Sequence, residues 1–467
     1  MSVKTIRLCV DGQLIQGSDK FMFNDIVHHL QNMERKHLLF LRQQWKIDWE
    51  KLYQSLPCVV ITDIVYDQLK DIDGCTVIKV QNIDQAYWKF VESYRGRFSI
   101  PVISVTGTCG KTTTKDMIKH ILRSSKNVTG TKSTANSRTN HLAYLLGIEE
   151  QTEAAVFESA VGKPGDVLLA SRYFKPTIGV ITNIGVYHLD GCKTEEAYIQ
   201  AKAEMVQAVG PKGTLIVNAD DENSKKIGLE KFHGKIVKFG IENKADFQAT
   251  NIQYNATGMT FELIIRKGGN FRPKIKTRYY AFVPGFGQHQ VLNALAALAA
   301  VHEIGIGIRE AIKQLESFNN LSCHFECFKG KNGCLIVDDT WNSNPTSLKA
   351  AFQTLNGISG GRKRIALIGG IKRLGDVSLE IHRQTGEMIA KTGVDVLITV
   401  GSLAVEIANE ARRKGIDGEV YSFSDMSEAE TLLEKTMDKN SILLIKSSST
   451  DDAIVNFKNR LKYHREN

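Results

Sequence analysis

Short apolar runs separated by polar stretches of helical spacing recur along the whole chain, and that rhythm predicts an α/β protein. Between residues 1 and 98 the runs Leu38 to Leu41, Val59 to Thr62 and Val77 to Val80 alternate with helical segments. The last of these segments carries Tyr87, Trp88, Phe90 and Tyr94, then meets Arg95-Gly96-Arg97, where a domain boundary is expected. From 99 to 318 further buried-strand patterns follow at Val102 to Thr106, Ala154 to Glu158, Thr177 to Ile184 and Thr214 to Asn218. Strands alternating with helices predict a mostly parallel sheet covered on both faces. Residues 247 to 283 instead show period-two alternation and are expected to form an antiparallel insertion, followed by a buried alanine-rich helix from Gln288 to Glu303. Residues 319 to 467 resume the alternation, with strands expected near Cys334 to Asp338, Arg364 to Ile368, Val396 to Val400, Val420 to Phe423 and Ile442 to Ile445. The expectation is three domains: a small α/β N-terminal domain (1–98), a central nucleotide-binding domain (99–318) and a C-terminal Rossmann-like domain (319–467).

One junction carries specific chemistry. The strand Val102 to Thr106 runs into Gly107-Thr108-Cys109-Gly110-Lys111-Thr112-Thr113. Backbone N–H groups of such a turn cradle phosphates, the helix N-terminus adds positive potential, Lys111 supplies a mobile charge, and Thr112 can hold Mg²⁺. The general phosphate-loop pattern wants a glycine five positions before Gly110; Val105 stands there, so the match is to the variant Thr-Gly-Thr-x-Gly-Lys-Thr.

Charge and composition narrow the partners. The 467 residues carry a formal net charge of +9, spread out, which suits anionic small substrates. The densest basic cluster, around residue 270, reads as a solvated hairpin, so no nucleic-acid partner is expected. No stretch approaches the roughly 18 to 20 apolar residues of a membrane span. The start of the chain lacks a secretory signal, so a cytoplasmic protein with reduced thiols and no membrane partner is expected. Among eight cysteines, Cys323, His324, Cys327 and Cys334 come closest to metal-ligand spacing but leave a tetrahedral set incomplete. Cys109 is open to two readings, a thiol whose modification blocks ATP or a neutral spectator.

Several further motifs stand in order: Phe157-Glu158-Ser159, Thr182-Asn183-Ile184-Gly185-Val186-Tyr187-His188, Ala201-Lys202-Ala203-Glu204-Met205, Asn218-Ala219-Asp220-Asp221, Gly287-Gln288-His289-Gln290-Val291-Leu292-Asn293 and Asp338-Asp339-Thr340-Trp341-Asn342-Ser343-Asn344-Pro345. Together with the phosphate loop they resemble the Mur ligase family, most closely its dipeptide-adding branch, over roughly residues 99 to 467. The resemblance implies ATP-driven amide formation in peptidoglycan synthesis. A carboxylate takes the γ-phosphoryl group, and an amine then displaces phosphate from the acyl phosphate. It implies Gly107, Thr108, Gly110, Lys111, Thr112 and Thr113 on the phosphates, and two Mg²⁺ ions held by Thr112, Glu158, His188 and Lys202. Lys111, Lys202 and His188 are the implied catalytic set, with Lys202 a candidate for carbamylation by CO₂. Carbamylation needs a neutral amine, hence a desolvated lysine. His289 and Asn293, four apart on one helix face, are implied at adenine, and Asp339, Asn342 and Asn344 at ribose and phosphates. The expected partners are a small carboxylate and a small amine, and the expected state is a monomer.

The departures from the family gather on the substrate side. Val10-Asp11-Gly12-Gln13-Leu14 and Trp45-Lys46-Ile47-Asp48-Trp49 stand where uridine-gripping motifs belong. The central substrate loop is Asn136-Ser137-Arg138-Thr139-Asn140-His141-Leu142, and Cys323-His324 replaces a Gly-Arg. In the last domain, Gly369-Gly370-Ile371-Lys372-Arg373-Leu374-Gly375 trades two family acids for glycine and a cation, and Lys446 is followed by three serines. Asn136, Ser137, Arg138, Lys372, Arg373 and Lys446 are therefore the expected substrate residues. A cationic rim attracts carboxylates, so an amine more acidic than a neutral dipeptide is one expectation. A specialised biosynthetic ligase and a noncatalytic ATP-binding scaffold are the alternatives.

Overall fold

A computed structural model describes residues 1–43, 47–267 and 275–463. Trp45 and Lys46, and most of the basic cluster around residue 270, lie outside the described residues. The chain divides into two compact units, one of residues 1–100, 137–151 and 172–174, the other of the remainder.

The first unit is built on a five-stranded sheet. In spatial order it runs Gln13–Gln16, Cys75–Lys79, Cys58–Thr62, His37–Phe40 and Asp25–Val27, all parallel except the first. Cys58–Thr62 is buried at every position, as expected of a central parallel strand. The aromatic helix Ile83–Gly96 packs Tyr87 against Phe40, and the Tyr87 hydroxyl meets that of Tyr173 at 2.8 Å. Buried Arg95 donates to the Phe174 carbonyl at 2.7 Å, which ties residues 172–174 to this unit.

The second unit holds two sheets. The larger has nine strands in the order Ile275–Pro284, Gly258–Lys267, Phe247–Tyr254, Lys235–Gly240, Thr214–Asn218, Ile178–Ile181, Val102–Thr106, Ala154–Glu158 and Val128–Gly130. The alternating residues after 247 do pair antiparallel, but Phe247–Tyr254 lies parallel beside Lys235–Gly240, so the hairpin extends the main sheet. Residues 182–184, expected within a strand, leave the sheet after Ile181 and wrap the phosphate loop. Gln288–Glu303 packs along the sheet beside the phosphate-loop helix Lys111–Leu122. Its alanines at 294, 297 and 300 are fully buried, and such small side chains allow close helix approach. The six-stranded sheet runs Glu326–Lys329, Leu335–Asp339, Ser441–Lys446, Lys363–Gly369, Val396–Val400 and Glu419–Phe423, with only the first strand antiparallel. The carboxyl ends of parallel strands in both sheets carry the motif loops, the usual place for ligands in such sheets.

Candidate active site

The phosphate loop turns tightly because two glycines allow it. Gly107 has φ 147°, and a Cβ there would stand 1.9 Å from Thr182 Oγ1; Gly110 has φ 79°, and a Cβ there would stand 2.2 Å from Asn293 Oδ1. The loop is braced from the next strand. The Thr108 and Cys109 N–H groups donate to Asn183 (2.9 and 3.0 Å), while Thr182 Oγ1 and Asn183 Nδ2 donate to the Cys109 carbonyl (2.6 and 3.1 Å). Lys111 Nζ folds back to the Thr108 carbonyl at 3.1 Å. Thr113 is buried behind the loop, and Thr114 Oγ1 donates to Asn293 Oδ1 at 3.3 Å. Asn293 thus underlies the loop itself.

Glu158 ends its strand with a carboxylate only 2% exposed. Thr112 Oγ1 donates to its Oε2 at 2.8 Å and Asn136 Nδ2 to its Oε1 at 2.7 Å. A buried carboxylate beside a hydroxyl at a phosphate cradle suits Mg²⁺, which takes one or two protein oxygens and fills its octahedron with phosphate oxygens and water. Among the described residues no three His, Cys, Asp or Glu side chains gather into a metal cluster.

Lys202 is 1% exposed, with Nζ 2.8 Å from the Gly107 carbonyl and 3.4 Å from Thr106 Oγ1. Burial, then the charge of Lys111, pulls its ammonium pKa well below the usual lysine value. That environment favours the neutral amine, the form that reacts with CO₂, so Lys202 fits the chemistry of carbamylation. Two residues on, Glu204 accepts from the N–H groups of Gly165 (2.6 Å), Val167 (3.2 Å) and Leu168 (3.3 Å), which caps the helix Asp166–Phe174 from outside. His188 sits in the left-handed region (φ 54°), and burial followed by the charges of Arg373, Lys111 and Lys202 lowers it to about 4. A neutral imidazole can act as a ligand.

The last domain meets this loop closely. Gly185 has no room for a Cβ, which would lie 1.9 Å from Thr346 Oγ1. Asn344 begins the helix Pro345–Ile358 with a reciprocal capping box to Ser347, and its Nδ2 reaches Cys109 Sγ at 3.4 Å. Burial pushes the Cys109 thiol up, with Asn344 and the charges of Lys111 and Lys446 opposing. Lys446 pairs with Asp339 at 2.9 Å and also donates to the Asn342 carbonyl, so its charge is spent on the 339–342 segment. Asn342 is exposed. His289 is lowered by burial, and its Nδ1 has no hydrogen-bond partner among the described residues.

The remaining substrate residues are separated. Lys372 and Arg373 are exposed on the loop after Lys363–Gly369. Lys372 Nζ donates to Thr450 O and Oγ1 (2.9 and 2.8 Å), while the Arg373 carbonyl accepts from Leu189 N at 3.0 Å, one residue from His188. Asn136 faces Glu158, whereas Ser137 and Arg138 belong to the first unit. Asn183 and Glu204 stand inside the quoted motifs, but their bracing roles escape sequence reading.

A phosphate cradle, a carboxylate–hydroxyl pair and a buried neutral-leaning lysine under one sheet edge define the class: an ATP-dependent ligase that forms carbon–nitrogen bonds. The Mur ligase middle-domain model matches residues 105–301, and the Mur ligase glutamate ligase domain model matches 325–449, together well over half the chain. The chain belongs to the Mur ligase family. It is 29% identical over 450 residues to the UDP-N-acetylmuramoyl-tripeptide–D-alanyl-D-alanine ligase of Bacillus subtilis, covering 96% of this chain and 95% of that one. The Haemophilus influenzae ligase of the same name is 27% identical, with 79% of each chain covered. In fold it matches MurF from Acinetobacter baumannii (TM-score 0.83, 23% identity, 99% and 98% covered). It also matches Thermotoga maritima MurF in complex with ADP (TM-score 0.77, 21% identity, 94% and 98% covered).

Proposed function

We propose that the protein joins D-alanyl-D-alanine to UDP-N-acetylmuramoyl-tripeptide at the expense of ATP, through an acyl phosphate. The observation that carries this reading is the near end-to-end match to a relative named for that activity. In the proposed mechanism Lys111 and the loop N–H groups hold the β- and γ-phosphates, so that an anionic carboxylate can approach the γ-phosphorus. The substrate carboxylate oxygen bonds to that phosphorus as the β–γ bridge breaks, and ADP leaves. The amine then attacks the acyl carbon, loses a proton and expels phosphate. Mg²⁺ bound by Thr112 and Glu158, with a second ion at His188 and carbamylated Lys202, would supply charge neutralisation between the two anions. Gly107, Thr108, Gly110 and Thr113 shape the cradle, Asn293 supports it from below, His289 faces the base, and Asp339, Asn342 and Asn344 bring the last domain onto the nucleotide.

The same reading assigns residues 1–98 to the first substrate, 99–318 to ATP and 319–467 to the amine, in a monomer working in the cytoplasm. Among the described residues no helix is long and apolar enough to cross a membrane.

A second reading, an amine carrying an extra carboxylate, is favoured by Arg373, which is exposed and has no carboxylate partner among the described residues. Phosphate release from ATP with UDP-muramoyl-tripeptide, offered D-alanyl-D-alanine or a dipeptide ending in an acidic residue, tests both. Release that needs both substrates and favours the neutral dipeptide supports the first reading and ends the second. ATP binding without turnover across the panel would leave a scaffold.

A further inference from the structure

The phosphate-loop helix buries two lysines that the mechanism above does not use. Lys115 and Lys119 are four apart and so share one face of Lys111–Leu122, with relative exposures of 0% and 7%. Methionine or leucine would fill such space without the desolvation cost of an ammonium group. Their donors go to one place. Lys115 Nζ reaches Ser133 O at 2.6 Å, Thr131 O at 3.3 Å and Asp116 Oδ1 at 3.0 Å; Lys119 Nζ reaches Thr131 O at 3.0 Å.

Those carbonyls follow Val128–Gly130, the last strand of the nine-stranded sheet, at the point where the chain leaves the ladder. A buried carbonyl that leaves a ladder, as that of Thr131 does, needs other donors, and the two lysines supply them. The segment they hold then turns back onto the catalytic carboxylate from two sides. Buried Thr131 donates its N–H to Val156 O at 3.1 Å and accepts the Glu158 N–H on Oγ1 at 3.0 Å. Asn136, at the other end, donates to Glu158 Oε1 at 2.7 Å. Ser133, between them, sits at φ 46°, a left-handed conformation that a non-glycine residue keeps only when its surroundings hold it there.

We propose that Lys115 and Lys119 are positioning residues for Glu158, clamping the segment 131–136 so that Thr131 and Asn136 fix the carboxylate that faces Thr112. The proposal rests on the reading of Glu158 as a Mg²⁺ ligand for ATP. The test is the Mg²⁺ midpoint of the full-length enzyme, read from phosphate release at saturating ATP and, with no turnover, from the Mg²⁺ dependence of ADP binding by calorimetry. Lys115→Met is expected to raise it about 10-fold, the size of effect that loss of a ligand's supporting partner has on metal affinity. Lys115→Arg, which keeps the donors, restores it, and the KM for the amine stays put. Thr131→Val, which removes only the acceptor for the Glu158 N–H, raises it in the same direction and decides the matter should Lys115→Met not fold. Fewer active molecules with an unchanged Mg²⁺ midpoint in both variants would overturn the proposal. Glu158→Ala separates the two levels: a shifted midpoint there beside unshifted lysine variants sinks this proposal alone, whereas no shift in Glu158→Ala sinks the metal reading beneath it.

Discussion

The two halves of the site are built differently. On the middle-domain side the polar groups are fixed to one another: half-buried Lys111 on Thr108 O, buried Thr112 on buried Glu158, and buried Lys202 on Gly107 O. On the last-domain side the loop Ile371–Gly375 is anchored by buried Ile371 and Leu374 and carries its two cations, Lys372 and Arg373, in solvent. His382 donates from Nδ1 to Ser378 O (2.6 Å) and accepts the Ile371 N–H on Nε2 (3.0 Å), while Lys372 and Arg373 point into exposed space. Desolvation makes the first half strong and intolerant, because moving any charge there strands another. Solvent makes the second half weak and adjustable.

The largest effect should come from breaking the buried half. Lys111→Met is expected to lower the rate of ATP-dependent phosphate release about 10³-fold, as loss of a preorganised charge on a reacting group does, with the fold intact by circular dichroism. A rate within a few-fold of the parent would erase the contrast. The next test asks whether buried charge is confined to that half. Deep in the last domain, Lys458 pairs with Asp338 at 3.1 Å, with side-chain exposures of 5% and 0%. Lys458→Met leaves that carboxylate stranded and should reduce unfolding free energy in urea by about 3–5 kcal/mol. A smaller loss means water reaches Asp338 and the interior is softer than its packing implies.

The smallest effect is read by pH. Burial lowers Lys119 to about 8, with Lys115, Arg123 and Lys132 pushing the same way and Asp116 opposing. Below pH 8 the native and unfolded chains both carry the proton and the full penalty is felt; above the ordinary lysine value near 10.5 neither does. Between those limits the unfolded chain binds more protons, so stability rises with pH. Parent minus Lys119→Met stability should therefore climb across that window by at most about 3 kcal/mol. A flat difference would show that Lys119 is effectively solvated.

Much of this architecture was legible because buried parallel strands write themselves as continuous apolar runs. Val102–Thr106, Ala154–Glu158 and Ser441–Lys446 were all found that way. Short or interrupted strands such as Val128–Gly130 and Lys235–Gly240 were not, since three residues, or a run broken by the exposed Lys235 and Lys238, leave no period to count. In the site, side chains that meet ligands stand in compact motifs. Some of the groups that brace them do not: Thr131 lies 27 residues from Glu158, and Lys115 reads as one more cation on a helix. Lys446 was expected at the substrate, but its partner Asp339 lies 107 residues upstream on a neighbouring strand, a pairing only the sheet order reveals.

Asn344 gives the first turn of a 14-residue helix its cap while touching a thiol 235 positions earlier, in the phosphate loop. Any rearrangement of that loop must tug on the cap, so the earliest amides of the helix after Pro345 become a gauge of what happens at the loop. Their exchange with deuterated solvent would report nucleotide arrival from a distance, with no label on either substrate.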